Sequence, residues 1–160
     1  MKVESNYAVD TCISRHVHAS AQAMFDLAAR VEDWPRLLPH YRRVRLLHAD
    51  ADQRVVEMAA QRSVVGRLGV PLWWVAAQRV YPEDGRIEFR HLRGVTRGMW
   101  VEWTITPSGQ FDCVVRIRHV FWPPWAVPDA LVHAVVGEYF VNGVARRTLA
   151  CLGQRAQRPS

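Results

Sequence analysis

Lysine is almost missing from this 160-residue chain: Lys2 stands alone among 21 basic residues, the other 20 being arginine. The arginines are spread along the whole length, as in the product of a GC-rich genome. A net charge of +6 therefore comes without the clustered basic stripe that nucleic-acid binding requires, and no nucleic-acid partner is expected. Cysteine is scarce too. Cys12, Cys113 and Cys151 are odd in number and far apart, which excludes a disulfide framework and a CxxC metal site and leaves reduced thiols. No apolar run reaches the ~18 residues of a membrane span, and no signal-peptide core opens the chain, so the cytoplasm is the expected compartment and integral membrane association is not expected. Phosphate-cradling glycine loops and metal-spaced ligand clusters are absent, and no cofactor or metal is expected. The length suits one domain over residues 1–160, burying roughly 70% of its unfolded surface.

What the chain has is a long helical pattern at its end. From Asp129, a capping residue after Pro128, apolar residues recur at Leu131, Val132, Val135, Val136, Tyr139, Phe140, Val144, Leu149 and Leu152. This spacing predicts one helix over 128–154. Upstream, residues 5–17 alternate as a first strand. His16 and His18 share a face of it, a spacing compatible with a metal, but no third ligand is nearby in sequence and they are read as exposed strand-end histidines. Ser20 caps a short helix with Met24, Phe25, Leu27 and Ala28 inward, and a second short helix follows, with Asp33 at its start, Pro35 in its first turn and Pro39 at its end.

From Tyr41 the period is two. Strands are predicted over 41–49, 53–62, 72–81, 86–93, 97–106 and 111–122, separated by turn residues. The inward sets are Val56, Met58 and Ala60; Trp73, Val75, Ala77, Arg79 and Tyr81; Ile87 and Phe89; Met99, Val101, Trp103 and Ile105; and Phe111, Cys113, Val115, Ile117, His119 and Phe121. Successive hairpins make the sheet antiparallel. The fold class is therefore α+β: a curved, seven-stranded antiparallel sheet wrapped around a long C-terminal helix, with two short helices after the first strand. The inward list mixes tryptophans, small alanines and polar Arg79 and His119, and Gly137 and Gly143 interrupt the helix at ~1 kcal/mol each. An unpaired guanidinium is costly in a solid core, so the interior is expected to hold a hydrophobic ligand cavity.

The segments VHASAQAMFDLAARVEDWPRLLPHY, PLWWVAAQRV, RGMWVEW and RIRHVFWPPW carry a resemblance. Over about residues 5–155 the chain resembles the START/Bet v 1-like (SRPBCC) helix-grip superfamily, within it the polyketide cyclase/aromatase family, and in particular its tetracenomycin-type aromatase/cyclases. The resemblance implies that Trp34 and Tyr41 line the cavity from the second short helix, Trp73 and Arg79 from one strand and Trp103 from another. Arg79 matches the family's interior arginine, which anchors a poly-β-ketone, and Tyr41 matches a tyrosine assisting proton transfer. Arg90 falls where the family has a second arginine, although the alternation turns it to solvent unless a bulge intervenes. Departures are Ala77 in place of a pocket serine and His119 in place of a different polar residue. Tyr139 and Asn142, one helical turn apart, would substitute for a polar helix residue of the aromatases.

The activity so implied is dehydrative aldol cyclisation of a polyketide chain. It needs the chain held in one folded shape, a donor or cation at the developing enolate, and a group that moves protons. Arg79 suits the enolate, and Tyr41 or His119 the proton; Met58, Phe121, Trp34, Trp73, Trp103, Arg90, Tyr139 and Asn142 are the expected substrate contacts. The expected partners are a hydrophobic, polyketide-like small molecule and an acidic acyl carrier protein suited to the positive surface. The competing reading is a carrier without turnover for a quinone, lipid or other apolar ligand, with Trp122 and Trp125 dipping into a membrane surface. Oligomeric state is not legible.

Overall fold

Neighbouring strands lead into one another by hairpins, and a single antiparallel sheet results. The computed structural model describes residues 9–65, 68–123, 128, 130 and 143–157. The strands are β1 (Val9–Val17), β2 (Tyr41–Ala49), β3 (Arg54–Val65), β4 (Leu68–Tyr81), β5 (Arg86–Gly94), β6 (Trp100–Gly109) and β7 (Asp112–Phe121). They lie in the order β1-β7-β6-β5-β4-β3-β2, so the first two strands occupy opposite edges of a curved sheet. Between them run α1 (Ala21–Ala29), a 3-10 turn (Val31–Asp33) and α2 (Trp34–Leu37). A π-helical turn at 143–145 leads into α3 (Arg146–Ala156), the part of the expected C-terminal helix within the described residues. Tyr139, Asn142, Gly137 and Trp125 lie outside the described residues.

Local chemistry explains the elements between β1 and β2. The Ser20 hydroxyl accepts from the Ala23 N–H at 3.1 Å and starts α1, whose Met24, Phe25 and Ala28 are buried. Pro35 occupies the first turn of α2, where its missing N–H costs nothing. Asp33 makes no cap of that helix; its carboxylate accepts from Arg36 at 3.1 Å instead. The two-residue period then sorts the strands. Val56, Met58 and Ala60 of β3, Ile87 and Phe89 of β5, and Met99, Val101, Trp103 and Ile105 around β6 are all buried as expected. So are Cys113, Val115, Ile117, His119 and Phe121 of β7, whereas Phe111 falls in the β6–β7 turn and is 67% exposed.

One strand turns the other way. In β4 Leu72, Trp74, Ala76 and Gln78 are buried on the inner face; of the expected inward set Val75 is buried but outside the core cluster, Ala77 and Tyr81 are half-buried, and Trp73 and Arg79 face the outside of the sheet. A slip of one residue moves every side chain of a strand to the opposite face. Both alternating sets are largely apolar, so hydrophobicity does not choose between them. The choice falls to Gln78, which donates from Nε2 to the Ala29 carbonyl at 2.9 Å and accepts from Arg54 Nη2 at 2.6 Å. Arg54 Nη2 also donates to the Ala29 carbonyl at 3.1 Å, and its Nη1 pairs with Glu32. A carbonyl orphaned at the end of α1 is thereby satisfied from the sheet.

The next hairpin keeps Trp74 in place. Gly94 takes φ +98°, and a side chain there would bring its Cβ to 2.4 Å from the Trp73 carbonyl oxygen. On the outer face, Glu57 is nearly buried between Arg43 and Arg45, whose Nη2 atoms lie 3.0 and 3.4 Å from Oε1.

Candidate functional site

The concave face of the sheet, α2 and the 143–148 segment enclose a cavity of about 40 Å³. Its walls are mostly aromatic. Trp34 meets Tyr41 edge-on at 5.1 Å between ring centroids and approaches Trp103 at 6.0 Å and Phe89 at 6.4 Å. Trp74 lies 6.1 Å from Tyr41 and stacks on His91 at 5.8 Å with only 6° between the planes. The Trp34 indole is fixed by its N–H, which donates to the Leu27 carbonyl at 3.1 Å. Met58, Val101, Val144 and Ala145 complete the apolar lining. The lining is thus mostly apolar and aromatic with a few placed polar groups, the composition of ligand pockets.

Three buried imidazoles and one phenol supply the polarity. His91 shares a 2.6 Å hydrogen bond with Thr96 through Nδ1. His119, opposite Val101 in the β6–β7 register, lines the cavity beside it. Desolvation lowers the pKa of His119 to about 4; desolvation and then the nearby His119 lower that of His91 to about 3. Both rings are therefore neutral at physiological pH. Behind the cavity wall, His40 Nε2 lies 2.8 Å from the Thr148 hydroxyl, which itself donates to the Val144 carbonyl at 2.9 Å. Thr148 has thus spent its proton, and His40 must carry its own on Nε2. Burial, then the Arg147 charge, hold His40 at a pKa of about 4. Burial pushes the Tyr41 phenol far above its ordinary value, against a smaller opposing effect of its hydrogen bond to Thr148. Thr148 Oγ1 thus gathers His40, Tyr41 and the backbone of the π-helical turn into one network.

The sequence-predicted residues divide cleanly. Trp34, Tyr41, Met58, Trp103 and His119 line the cavity together. Phe121 is buried in the core without lining it. Trp73, Arg79 and Arg90 do not reach the interior: Trp73 is 41% exposed, and both arginines border a groove of about 300 Å³ on the outer face. For Arg79 and Trp73 the cause is the β4 register set by Gln78; for Arg90 it is plain alternation between inward Phe89 and His91. Trp74, His91, His40 and Thr148 went unpredicted. His91 was legible, two positions beyond Phe89 on the same inward face. Trp74 was masked by its twin, and the His40–Thr148 contact joins residues 108 positions apart.

An antiparallel sheet gripping a C-terminal helix around an aromatic cavity defines a helix-grip domain of the START/Bet v 1-like class. The chain belongs to the family described as "Polyketide cyclase / dehydrase and lipid transport", which it matches over residues 17–146. No curated protein matches it significantly. Among solved structures it is similar to the Zhui aromatase/cyclase from Streptomyces sp. R1128, at 19% identity and TM-score 0.76, with 94% of each chain covered. It is also similar to a START superfamily protein from Mycobacterium smegmatis, at 16% identity and TM-score 0.72 over 92% of this chain and 97% of that one. Norcoclaurine synthase from Thalictrum flavum follows the same path at 13% identity and TM-score 0.66, over 95% and 90% of the two chains. At these identities the likeness is one of fold.

Proposed function

We propose that this chain is a polyketide cyclase that binds a poly-β-ketone or related aromatic intermediate in its interior cavity and directs aldol cyclisation and loss of water. The observation that carries this reading is the pairing of neutral, buried His91 and His119 with Tyr41 inside a ring of aromatic side chains. A neutral imidazole on His119 takes a proton from an activated methylene, and the carbanion forms a bond to a second carbonyl carbon. The resulting alkoxide recovers that proton. A second abstraction at the same carbon expels the new hydroxyl, which leaves as water with the proton from the imidazolium. Tyr41, kept as the phenol by burial, turns its one proton from Thr148 to the carbonyl oxygen on which negative charge gathers. Arg79 is given no part in this chemistry. The cavity is small, so ligand binding requires the aromatic walls or the 143–148 segment to move outward. An acyl carrier protein delivering the tethered chain, and a cytoplasmic setting, belong to the same proposal. Free Cys12, Cys113 and Cys151 agree with that setting, and no described helix is long and apolar enough to cross a membrane.

A second reading, a carrier for a neutral apolar ligand, is favoured by one feature: among the described residues no charged side chain lines the cavity. Reconstitution with a minimal type II polyketide synthase separates the two. The cyclase diverts shunt products to one defined aromatic ring, His119→Ala loses this, and Arg79→Ala keeps it in proportion to carrier-protein delivery. Product profiles identical with and without the wild-type protein would sink the cyclase and leave the carrier.

A further inference from the structure

The β1–β7 pairing brings a third ligand to a pair of histidines that the sequence leaves with two. His16, on the outer face of β1, and His18, in the bend just past its end, are both exposed on either side of buried Val17. Val17 pairs with Cys113, so the next residue across, Asp112 at the start of β7, stands beside His18. The Asp112 Oδ1 atom lies 2.7 Å from His18 Nδ1 and 3.7 Å from His16 Nε2. The two imidazole rings meet edge-on at 4.8 Å between centroids. One ligand atom from each of the three residues falls within 4.8 Å of the others.

We infer that His16, His18 and Asp112 form a binding site for a divalent transition metal, zinc being the fitting ion. Bonds of ~2.1 Å in a tetrahedral site set neighbouring ligand atoms ~3.4 Å apart. The observed 2.7 and 3.7 Å bracket that spacing, and closing the remainder asks only small rotations of side chains that are 49%, 73% and 38% exposed. Two imidazoles and one carboxylate select zinc, nickel or copper over calcium and magnesium, which want oxygen ligands. His16 lies within β1, His18 follows directly on its last residue, and Asp112 opens the hydrogen-bonded neighbour β7, so the β1–β7 pairing brings the three Cα atoms together before any ion arrives. Coordination through His18 Nδ1 places that ring's proton on Nε2, which faces solvent. Three protein ligands leave the fourth position to water or to an exogenous group.

The site is separate from the cavity, since none of its residues lines it. Its chemistry is that of a clasp: β1 is an edge strand, and the ion ties its last residues to β7 just before Ser20 starts α1. His18 and Asp112 are 94 positions apart, so the unfolded chain offers no equivalent site and bound metal stabilises the fold by mass action.

Cobalt(II) titration of the untagged protein at neutral pH tests this, read by visible absorption and repeated with zinc by thermal unfolding. One saturable equivalent with a tetrahedral cobalt band and a rise in Tm with zinc is expected. His16→Ala, His18→Ala and Asp112→Asn, all at exposed positions, each weaken binding at least about tenfold and abolish the rise in Tm. His48→Ala is the control, because His48 and Asp50 approach to 3.7 Å with no third ligand among the described residues, and that variant keeps full binding. An absent cobalt band, or binding unchanged in the His16→Ala/Asp112→Asn double variant, overturns the site.

Discussion

Replacing Thr148 with valine removes one oxygen atom from the interior and keeps the side chain's shape. In the native protein that oxygen accepts from His40 Nε2 at 2.8 Å, holds Tyr41, and donates to the Val144 carbonyl at 2.9 Å. His40 is 2% exposed and Tyr41 6%, so neither finds water when the oxygen goes. Among the described residues His40 Nδ1 already has no hydrogen-bond partner, and the variant leaves both of its ring nitrogens bare. An unsatisfied buried group costs ~1–3 kcal/mol, and two are created. The extra apolar surface of valine returns ~1 kcal/mol, and losing the bond to the i−4 carbonyl is nearly neutral for the helix. The expected net loss is ~1–5 kcal/mol, seen as a lower midpoint in urea at unchanged slope. A double-mutant cycle with His40→Leu should show positive coupling, the pair costing less than the sum of the singles. A loss under ~1 kcal/mol for Thr148→Val, or strict additivity in the cycle, would refute the network.

Acid should unfold the protein early. His40, His91 and His119 have folded pKa values of about 4, 3 and 4 against an ordinary 6.5, so below pH 6.5 the unfolded chain binds more protons than the native one. Stability is full above pH 6.5 and falls with pH by up to ~1.4 kcal/mol per unit for each imidazole until the native rings protonate; flat Tm values from pH 7 to 5 would contradict this. Gly94→Ala forces a side chain into φ +98° and against the Trp73 carbonyl, and should cost at least ~2 kcal/mol by chemical denaturation. Trp74→Ala and Trp73→Ala should differ sharply: the first, 3% exposed, loses ~3–5 kcal/mol, while the second, 41% exposed, loses much less in the same measurement. Arg79→Ala should leave the affinity for an interior apolar probe, followed by tryptophan fluorescence, within about twofold of wild type.

Much of the architecture was legible because it rests on local pattern. The period of two placed Val56, Met58 and Ala60, and likewise Met99, Val101, Trp103 and Ile105, on one face without any knowledge of the neighbours. The capping serine and early proline did the same for α1 and α2. The candidate site was legible where one residue stood out against polar flanks, as Tyr41 does between His40 and Arg42 and Trp103 between Glu102 and Thr104. In WWVAAQR both faces of the strand are apolar for several residues, so local pattern cannot set the register. What sets it is a glutamine reaching a helix-end carbonyl 49 positions earlier. An arginine looked like the interior group because it bears the stronger chemistry, yet burying it would have left a charge without a partner, and the amide makes the same helix contact with none. The His40–Thr148 contact and the His16–His18–Asp112 group depend on tertiary neighbours in the same way.

The placement of β1 at the sheet edge has a consequence during synthesis. Its strand partner is β7, with Val9 opposite Phe121. The first strand to leave the ribosome therefore waits for the last, an interval on the order of ten seconds at ordinary elongation rates. In that interval β2 to β6 can zip together hairpin by hairpin while β1 hangs unpaired with Val9, Ile13 and Val17 exposed. A nascent chain arrested before residue 112 should thus hold a five-stranded sheet with a free, protease-sensitive N-terminal strand. Release of β7 would then close the grip in a single late step.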